Sequence, residues 1–416
     1  MRSYVAASLL CVCPTAHVRA KTETPLIHYC RKMSLRPMLS EQRRKSLQHM
    51  YSLVGSHSAV KLCRWNKSMM RGRGGCYKWT MYGIRSHQCM EATPSMACAN
   101  KCTFCWRLNT NPTATEWKWE VDDPSELVDK MLAVQRALIQ NAKGMPGVTE
   151  EAFQEAMSPR HCALSLVGEP IIYLRVNEFV KCLHDKKIST FLVNNGQFPD
   201  CIATLAPVTQ LYLSVDAPTK ELMAKVDRPV FPDFWERFNL SVGLMREKKQ
   251  RTTFRLTMMD HVNMGEEHID AYKDLFERGL PDFIELKALT PAFSGRKTFL
   301  RIQNVPTYEA LLGYGEKLCR SIMGGVEYDV ACGHEHSSCV LLARRRFNIN
   351  GVWHTWIDFE QFHRLAAAGS EFTSMDYVTE TPAWAVAGSP SKGFDPSQRR
   401  HMTNKRKQHM DPHNAR

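Results

Sequence analysis

No apolar run in this chain approaches the eighteen or so residues that a membrane-spanning helix needs, so nothing in it is expected to cross a bilayer. Acidic residues are scarce at both ends. Residues 1–50 hold nine Lys/Arg against two Asp/Glu, and residues 391–416 hold seven against two. Together these ends carry nearly all of the net charge of +13, and the middle is close to neutral. Such ends are either solvated tails or capture surfaces for a polyanion, where phosphate contacts dominate affinity. No internal repeat or low-complexity block is present. At 416 residues with 44% hydrophobic side chains, the chain is long enough to bury a full core. It is also too long for the small secreted scaffolds that disulfides hold together.

The first twenty residues contain Arg2, Arg19 and an apolar middle, and no acid precedes Glu23. That composition reads as an organelle transit peptide, which predicts a mitochondrial address, or else as a plain disordered leader on a cytoplasmic chain. A secretory signal would sit badly with the thiolate chemistry below. The expected organisation is a basic leader over 1–55, a structured core over 56–375 and a basic, disordered tail over 376–416.

Within the core, apolar runs at Ala163–Val167, Thr190–Val193, Gln210–Val215, Thr253–Met258 and Phe283–Leu286 read as strands. Helical patterns at Glu126–Asn141, Val176–Lys186, Phe231–Lys248 and Glu267–Arg278 lie between them. Strands alternating with helices of this length make βαβ units and a parallel sheet. The fold class expected is α/β, a partial or full (β/α) barrel of TIM type. Its chemistry is expected at the C-terminal ends of the strands. Polar residues fall there: Gly168-Glu169-Pro170, Asn194-Asn195-Gly196, Ser214 with Asp216, and Glu285 with Lys287.

Fifteen cysteines are many for such a chain, and clustered thiols in a large α/β protein point to metal or catalysis. Cys98, Cys102 and Cys105 form a C-x3-C-x2-C motif with Phe104 before the last thiol. Three thiolates in eight residues suit one edge of an iron–sulfur cluster, with one iron left open. Zinc, the rival, prefers four protein ligands in two spaced pairs. Upstream, Cys63, Cys76 and Cys89 are spaced by 13 and again by 13, a step that no helix or strand period produces. They are a second cluster's ligands, or else buried thiols that fall so by coincidence. The other nine cysteines show no grouping and read as small buried hydrophobes. From Lys61 to Met90 there are seven basic residues (Lys61, Arg64, Lys67, Arg71, Arg73, Lys78, Arg85) and no acid.

The cysteine motif is that of the radical S-adenosylmethionine superfamily. A narrower resemblance rests on Cys76–Ile84, Ser86–Glu91, Pro94-Ser95, Cys105-Trp106-Arg107 and Asn111-Pro112. It continues through Ser165–Pro170, Asn194–Gln197, Leu213–Ala217, Glu335–Ser337, Trp353 and Trp356–Asp358. From about residue 60 to about 365 the chain resembles the 4-demethylwyosine synthase family of wybutosine biosynthesis.

That resemblance implies the radical SAM form of the barrel, two [4Fe-4S] clusters and S-adenosylmethionine. Cys98, Cys102 and Cys105 would hold the cluster that cleaves S-adenosylmethionine, and Cys63, Cys76 and Cys89 the auxiliary one. Lys78 matches a lysine that forms a Schiff base with pyruvate. Gly168, Glu169 and Pro170 match the segment that binds the methionine amino group. Ser214 and Asp216 fall where ribose and amino-acid contacts are expected, with Asn194 and Asn195 at the same rim. The reaction implied condenses N1-methylguanosine, beside the anticodon of phenylalanine tRNA, with pyruvate to give the tricyclic wyosine precursor.

Two departures from the family's pattern stand out. Nothing before residue 60 reads as the flavodoxin-like domain of eukaryotic members, so a monomer fed by a separate flavodoxin or ferredoxin is expected. Thr290–Gly295 departs from the family's Thr-Tyr-Cys-Gly loop. Trp106, Arg107, Trp117 and Trp119 are candidates for stacking on the target base, with core packing the stronger reading for each Trp. Arg344, Arg345, Arg346 and the 399–407 cluster are candidates for phosphate contact. His334 and His336 read as structural or substrate-contacting. A radical tRNA methylthiotransferase and a zinc-bearing RNA-binding protein are the alternatives.

Overall fold

The computed structural model describes residues 35–290, 298–325 and 327–399. The expected transit peptide, Cys11, Cys13 and Cys30, most of the Thr290–Gly295 loop, and all of the 399–407 cluster but Arg399 lie outside these residues. No helix among the described residues is long and apolar enough to cross a membrane.

Ten strands form one sheet. In chain order they are β1 (Ser52–Val54), β2 (Ser58–Lys61), β3 (Cys89–Thr93), β4 (His161–Leu164), β5 (Ser189–Asn194), β6 (Gln210–Ser214), β7 (Arg251–Met258), β8 (Phe283–Ala288), β9 (Tyr328–His334) and β10 (Cys339–Arg344). Their spatial order is β1-β2-β3-β4-β5-β6-β7-β8-β10-β9. β3 to β8 run parallel, and antiparallel pairs extend both edges. The architecture is the partial (β/α) barrel of radical SAM enzymes. All five expected strands are present. β3, which the sequence pattern did not single out, is the first of the six parallel strands.

Alternation along the strands divides the interior into two cores. Leu192, Leu211, Leu213, Leu256, Ile284 and Leu286 face the helical layer, while Phe191, Tyr212 and Phe283 face the barrel lumen. The outer helices supply matching stripes. In Val176–Asp185, Val176, Phe179, Val180 and Leu183 are the buried residues, a spacing of i, i+3, i+4, i+7. The helix Pro124–Gln140 starts where Asp123 caps it, accepting from the Ser125 and Glu126 amides at 2.9 and 3.2 Å, with proline at the tolerated first turn.

The lower lumen is plugged. Fully buried Arg251 stacks 4.5 Å over Phe283 and donates to Gln210 Oε1 at 3.1 Å and Thr355 O at 2.6 Å. Phe347, Trp353, Ile357, Phe362 and Tyr377 complete this plug. Open space is thereby left toward the upper rim, where the strands end.

The order extends beyond the expected boundaries at both ends. The helix Glu41–Leu47, β1 and the buried Met38, Leu39, Leu47 and Tyr51 belong to the main core, because apolar residues sit between the basic ones that suggested a leader. At the other end, residues 376–399 form a strap rather than a loose tail. Val386 bridges Cys332 on β9, and the Lys392 ammonium pairs with Glu335 at 2.9 Å. Thr80 Oγ1 donates to Gly393 O at 2.8 Å, Trp79 Nε1 to Asp395 Oδ2 at 3.1 Å, and the Gly74 amide to Gln398 Oε1 at 2.7 Å. The Phe394 ring occupies the place where a side chain on Gly74 would be. The strap holds the segment that carries Cys76 and Lys78.

Candidate active site

A cavity of about 580 Å³ opens at the C-terminal ends of the parallel strands. Its walls include Cys98, Cys102 and Cys105 on the loop after β3, and Gly168, Glu169 and Pro170 after β4. Asn194 and Asn195 follow β5, Ser214 and Asp216 follow β6, and Cys63 lies at the near edge. The sequence-expected residues therefore converge from separate strand ends on one space.

Backbone contacts hold the first cysteine loop. The Glu169 amide donates to Ala97 O at 2.7 Å, Lys101 N to Asp227 O at 3.0 Å and Thr103 N to Val226 O at 2.8 Å. Gly168 has φ +75° and lies so close to the loop that a Cβ there would sit 2.0 Å from Ser95 O. Only glycine tolerates both that conformation and that approach. Arg107 is buried, and its guanidinium donates to Asn100 O at 2.7 Å, Asn111 O at 2.8 Å and Thr113 Oγ1 at 3.0 Å. It braces the cysteine loop and is not available to stack on a base.

Glu169 Oε2 accepts the Asn195 amide at 3.2 Å, while Oε1 has no hydrogen-bond partner among the described residues. Burial pushes this carboxyl well above the usual range. An ammonium group arriving at Oε1 would satisfy it. Burial also pushes Asp216 up to about 6, against a 2.8 Å hydrogen bond from the Thr257 amide. Asn194 Nδ2 donates to Tyr212 O at 2.7 Å and its Oδ1 accepts from the Gly196 amide at 3.0 Å. Those bonds commit Asn194 to shaping the rim. Asn195 Nδ2 instead reaches Cys98 Sγ at 3.5 Å.

Cys89 and Glu91 share the lumen-facing side of β3, with Met90 and Ala92 on the other. Cys63, Cys76 and Cys89 are electrostatic neighbours. Burial, then Glu91, then Cys76 push the Cys63 thiol up. Burial pushes Cys89 up too, with the Lys78 ammonium opposing and Cys76 adding. Lys78 is buried, with its amine 5.7 Å from the Tyr212 ring centroid. It lies beside Cys89 and Glu91 rather than in the cavity wall.

The same pattern holds in the first set. Burial, then Glu169, push Cys98 up to about 12, and Cys102, which hydrogen-bonds to Asp227, is pushed up by burial and then by Asp227. Burial thus pushes up Cys63 and Cys89 in one set and Cys98 and Cys102 in the other, and a cationic cluster at each set would supply the countercharge that these thiolates need. No disulfide links the described cysteines. Among the described residues no three His, Cys, Asp or Glu converge on a single-ion site, the arrangement a tetrahedral zinc would use.

Other expected contacts resolve differently. Trp117 and Trp119 pack with His57 and Tyr173 in the outer layer, and Lys61 sits 4.3 Å over the Trp106 ring. Arg344, Arg345 and Arg346 pair with Glu327, Asp329 and Asp282, so their charge is met within the fold. Trp65 packs edge-on against both His334 and His336, consistent with a structural role. Asp227 and Arg255 line the cavity without having been singled out in the sequence, and so do Lys61 and Glu91, which were named there only as parts of the basic stretch and of a family motif. Arg255 carried a signal, a charge on the inward face of a strand whose other face is Phe254, Leu256 and Met258.

Residues 278–344 match the family model for wyosine base formation. The S-adenosyl-L-methionine-dependent tRNA 4-demethylwyosine synthase of Arabidopsis thaliana is 53% identical over 352 residues, 84% of this chain and 54% of that protein. The Homo sapiens enzyme of the same name is 49% identical over 374 residues, covering 88% and 50%. A solved TYW1 structure with a lysine-pyruvate adduct bound superposes with TM-score 0.65 at 31% identity, covering 74% of this chain and 97% of that one. Archaeal TYW1 gives 0.59 at 30% identity, over 76% and 99%. The chain belongs to the 4-demethylwyosine synthase family. It spans about half the length of the curated relatives it matches. The wyosine-formation model covers β8 to β10, the strands carrying Glu285, Lys287 and Cys339.

Proposed function

We propose that this chain is the catalytic core of a tRNA 4-demethylwyosine synthase. It joins N1-methylguanosine in phenylalanine tRNA to carbon atoms of pyruvate and forms the tricyclic base. The observation that carries this reading is the pairing of two separate thiol triplets, one on the wall of the cavity and the other beside it. A methylthiotransferase would not explain why a buried lysine lies within the second triplet.

Bound clusters and S-adenosylmethionine would supply a carbon radical by one-electron cleavage, chemistry that belongs to the cofactor. The residues do the rest. Cys98, Cys102 and Cys105 hold one cluster, and Cys63, Cys76 and Cys89 the other. Glu169 receives the methionine ammonium, while Asp216 and Ser214 take the remaining polar groups of the cofactor. Lys78 is buried beside Cys89, a secluded setting in which its amine can condense with a keto acid. The plugged barrel floor excludes water from below. The guanine must leave the anticodon stack to enter, as base-modifying enzymes require. Arg64, exposed at the cavity edge, is available for phosphates, as is the exposed Lys67 on the same helix.

The test is anaerobic reconstitution of wild type and of the triple variant Cys63→Ala/Cys76→Ala/Cys89→Ala, with iron and sulfide counted. The expected result is loss of about half the iron, with S-adenosylmethionine cleavage kept and no tricyclic base formed. Full iron in the triple variant would make the upstream thiols structural.

A further inference from the structure

β7 and β8 are apolar on the side facing the helices, where Phe254, Leu256, Ile284 and Leu286 are fully buried. Their lumen side is polar. Arg255 pairs in register with Glu285, and Thr257 with Lys287, so all four project inward from adjacent strands. Charged groups in such a place need partners. Arg255 has one, since its Nε lies 3.9 Å from Glu285 Oε2. Glu285 Oε1 in turn accepts the Tyr82 hydroxyl at 2.8 Å.

Lys287 is different. Its amine donates to Ala288 O and Thr290 Oγ1, both at 3.2 Å, and among the described residues no carboxylate lies within ion-pair distance. Burial pulls its pKa down, and Arg255 and Arg64 add to that against the opposing Cys339 and Glu285. Lys287 and Arg255 both line the cavity, and residues two apart on adjacent strands lie within reach of one small ligand. Lys287 is therefore a cation of the cavity wall that no carboxylate among the described residues pairs with. Arg64, exposed at the mouth, is placed for an RNA phosphate.

We propose that Lys287 and Arg255 form a carboxylate site that anchors the acid end of the α-keto acid co-substrate. This rests on the function proposed above. An entering carboxylate supplies the countercharge that Lys287 lacks, as a charge-assisted hydrogen bond to its ammonium. The methionine carboxylate of S-adenosylmethionine has the same chemistry, so the test must separate the two.

In the reconstituted full chain, Lys287→Met is expected to raise KM for pyruvate about tenfold or more, the scale of a lost charge-assisted hydrogen bond. S-adenosylmethionine affinity, read by equilibrium binding, is expected to stay at the wild-type value. Lys287→Arg restores a cation and should bring the pyruvate KM back to within a few-fold. Oxamate, an unreactive analogue, should lose affinity in Lys287→Met without any turnover being needed. Iron per chain and melting temperature check the fold, with Lys287→Gln as substitute if the Met variant loses iron. An unchanged pyruvate KM and oxamate affinity would overturn the proposal, as would a loss of S-adenosylmethionine affinity instead. If fully loaded wild type forms no tricyclic base, the broader reading fails. Oxamate binding that depends on Lys287 would still support the carboxylate site.

Discussion

The side-chain amide of Asn195 donates to the Sγ of Cys98 at 3.5 Å, and the backbone amide of Asn100 reaches the same sulfur at 3.4 Å. Hydrogen bonds to cluster sulfurs are one of the levers that set reduction potential. They favour the more negative, reduced state. Asn195→Leu removes one donor and leaves the Asn195 backbone amide to Glu169 in place. The midpoint potential of the first cluster is expected to fall. A redox titration followed by electron paramagnetic resonance measures it, and an unshifted potential would show that the contact does not persist with the cluster bound.

Gly168 gives a second expectation. Adding one methyl group places it 2.0 Å from Ser95 O and 2.7 Å from the Met96 carbonyl carbon, both backbone atoms. The positive φ alone costs an alanine about 1–2 kcal/mol, and the clash adds to that. Gly168→Ala should lower the melting temperature and deplete iron from the Cys98 set, because the loop that must move carries those thiols. A variant with normal iron and a normal melting temperature would mean that the loop relaxes freely.

The C-terminal strap makes a third. Trp79 and Gly74, which flank Cys76, are tied to Asp395 and Gln398 by side-chain hydrogen bonds. Asp395→Ala combined with Gln398→Ala removes both, at a cost of about 2 kcal/mol. The expected signature is selective: iron of the second set is lost first, while the first set stays loaded. Uniform loss of iron from both sets would make the strap a general stabiliser instead.

Much of the framework was legible before any coordinates, for reasons that specific residues illustrate. The five strands from β4 to β8 announce themselves because strands buried on both faces read as apolar runs. β3 does not, since Cys89, Glu91 and Thr93 put polar side chains on its inward face. The strap gives no periodic pattern: Gly393 and Gly74 matter through close backbone approach, which composition does not reveal. The thiols and the Gly168–Pro170 turn were readable because their chemistry demands fixed residue types at short spacing. Arg255, Asp227 and Lys61 were not, because they meet only when distant strand ends close into a barrel. Arg107 and the arginines 344–346 were read as possible RNA contacts. Arg107 is a buried brace, and the arginines 344–346 make ion pairs at the surface, because the carbonyls and carboxylates that meet them lie in loops without pattern or far away in sequence.

Asp216 yields a pH dependence whose sign can be worked out. Burial raises its carboxyl to about 6 in the folded chain, against about 3.9 when unfolded. Asp227, itself pushed up by burial and by Asp216, and Arg255 are the charged groups facing it. Below pH 4 the carboxyl is neutral in both states and costs nothing. As pH rises from about 4 to 6 the unfolded chain releases the proton and the folded chain resists. Stability is therefore lost across that window and stays lost above it. At about 1.4 kcal/mol per unit, the penalty is about 3 kcal/mol. Asp216→Asn keeps an oxygen for the Thr257 amide, which now bonds Asp216 Oδ1 at 2.8 Å, and removes the charge. The iron-free variant should match wild type near pH 4 and exceed it in melting temperature above pH 6, while binding S-adenosylmethionine less well. Thermal unfolding from pH 4 to 8 measures the difference. A constant offset across that range would mean that Asp216 ionises as freely in the folded cavity as in water.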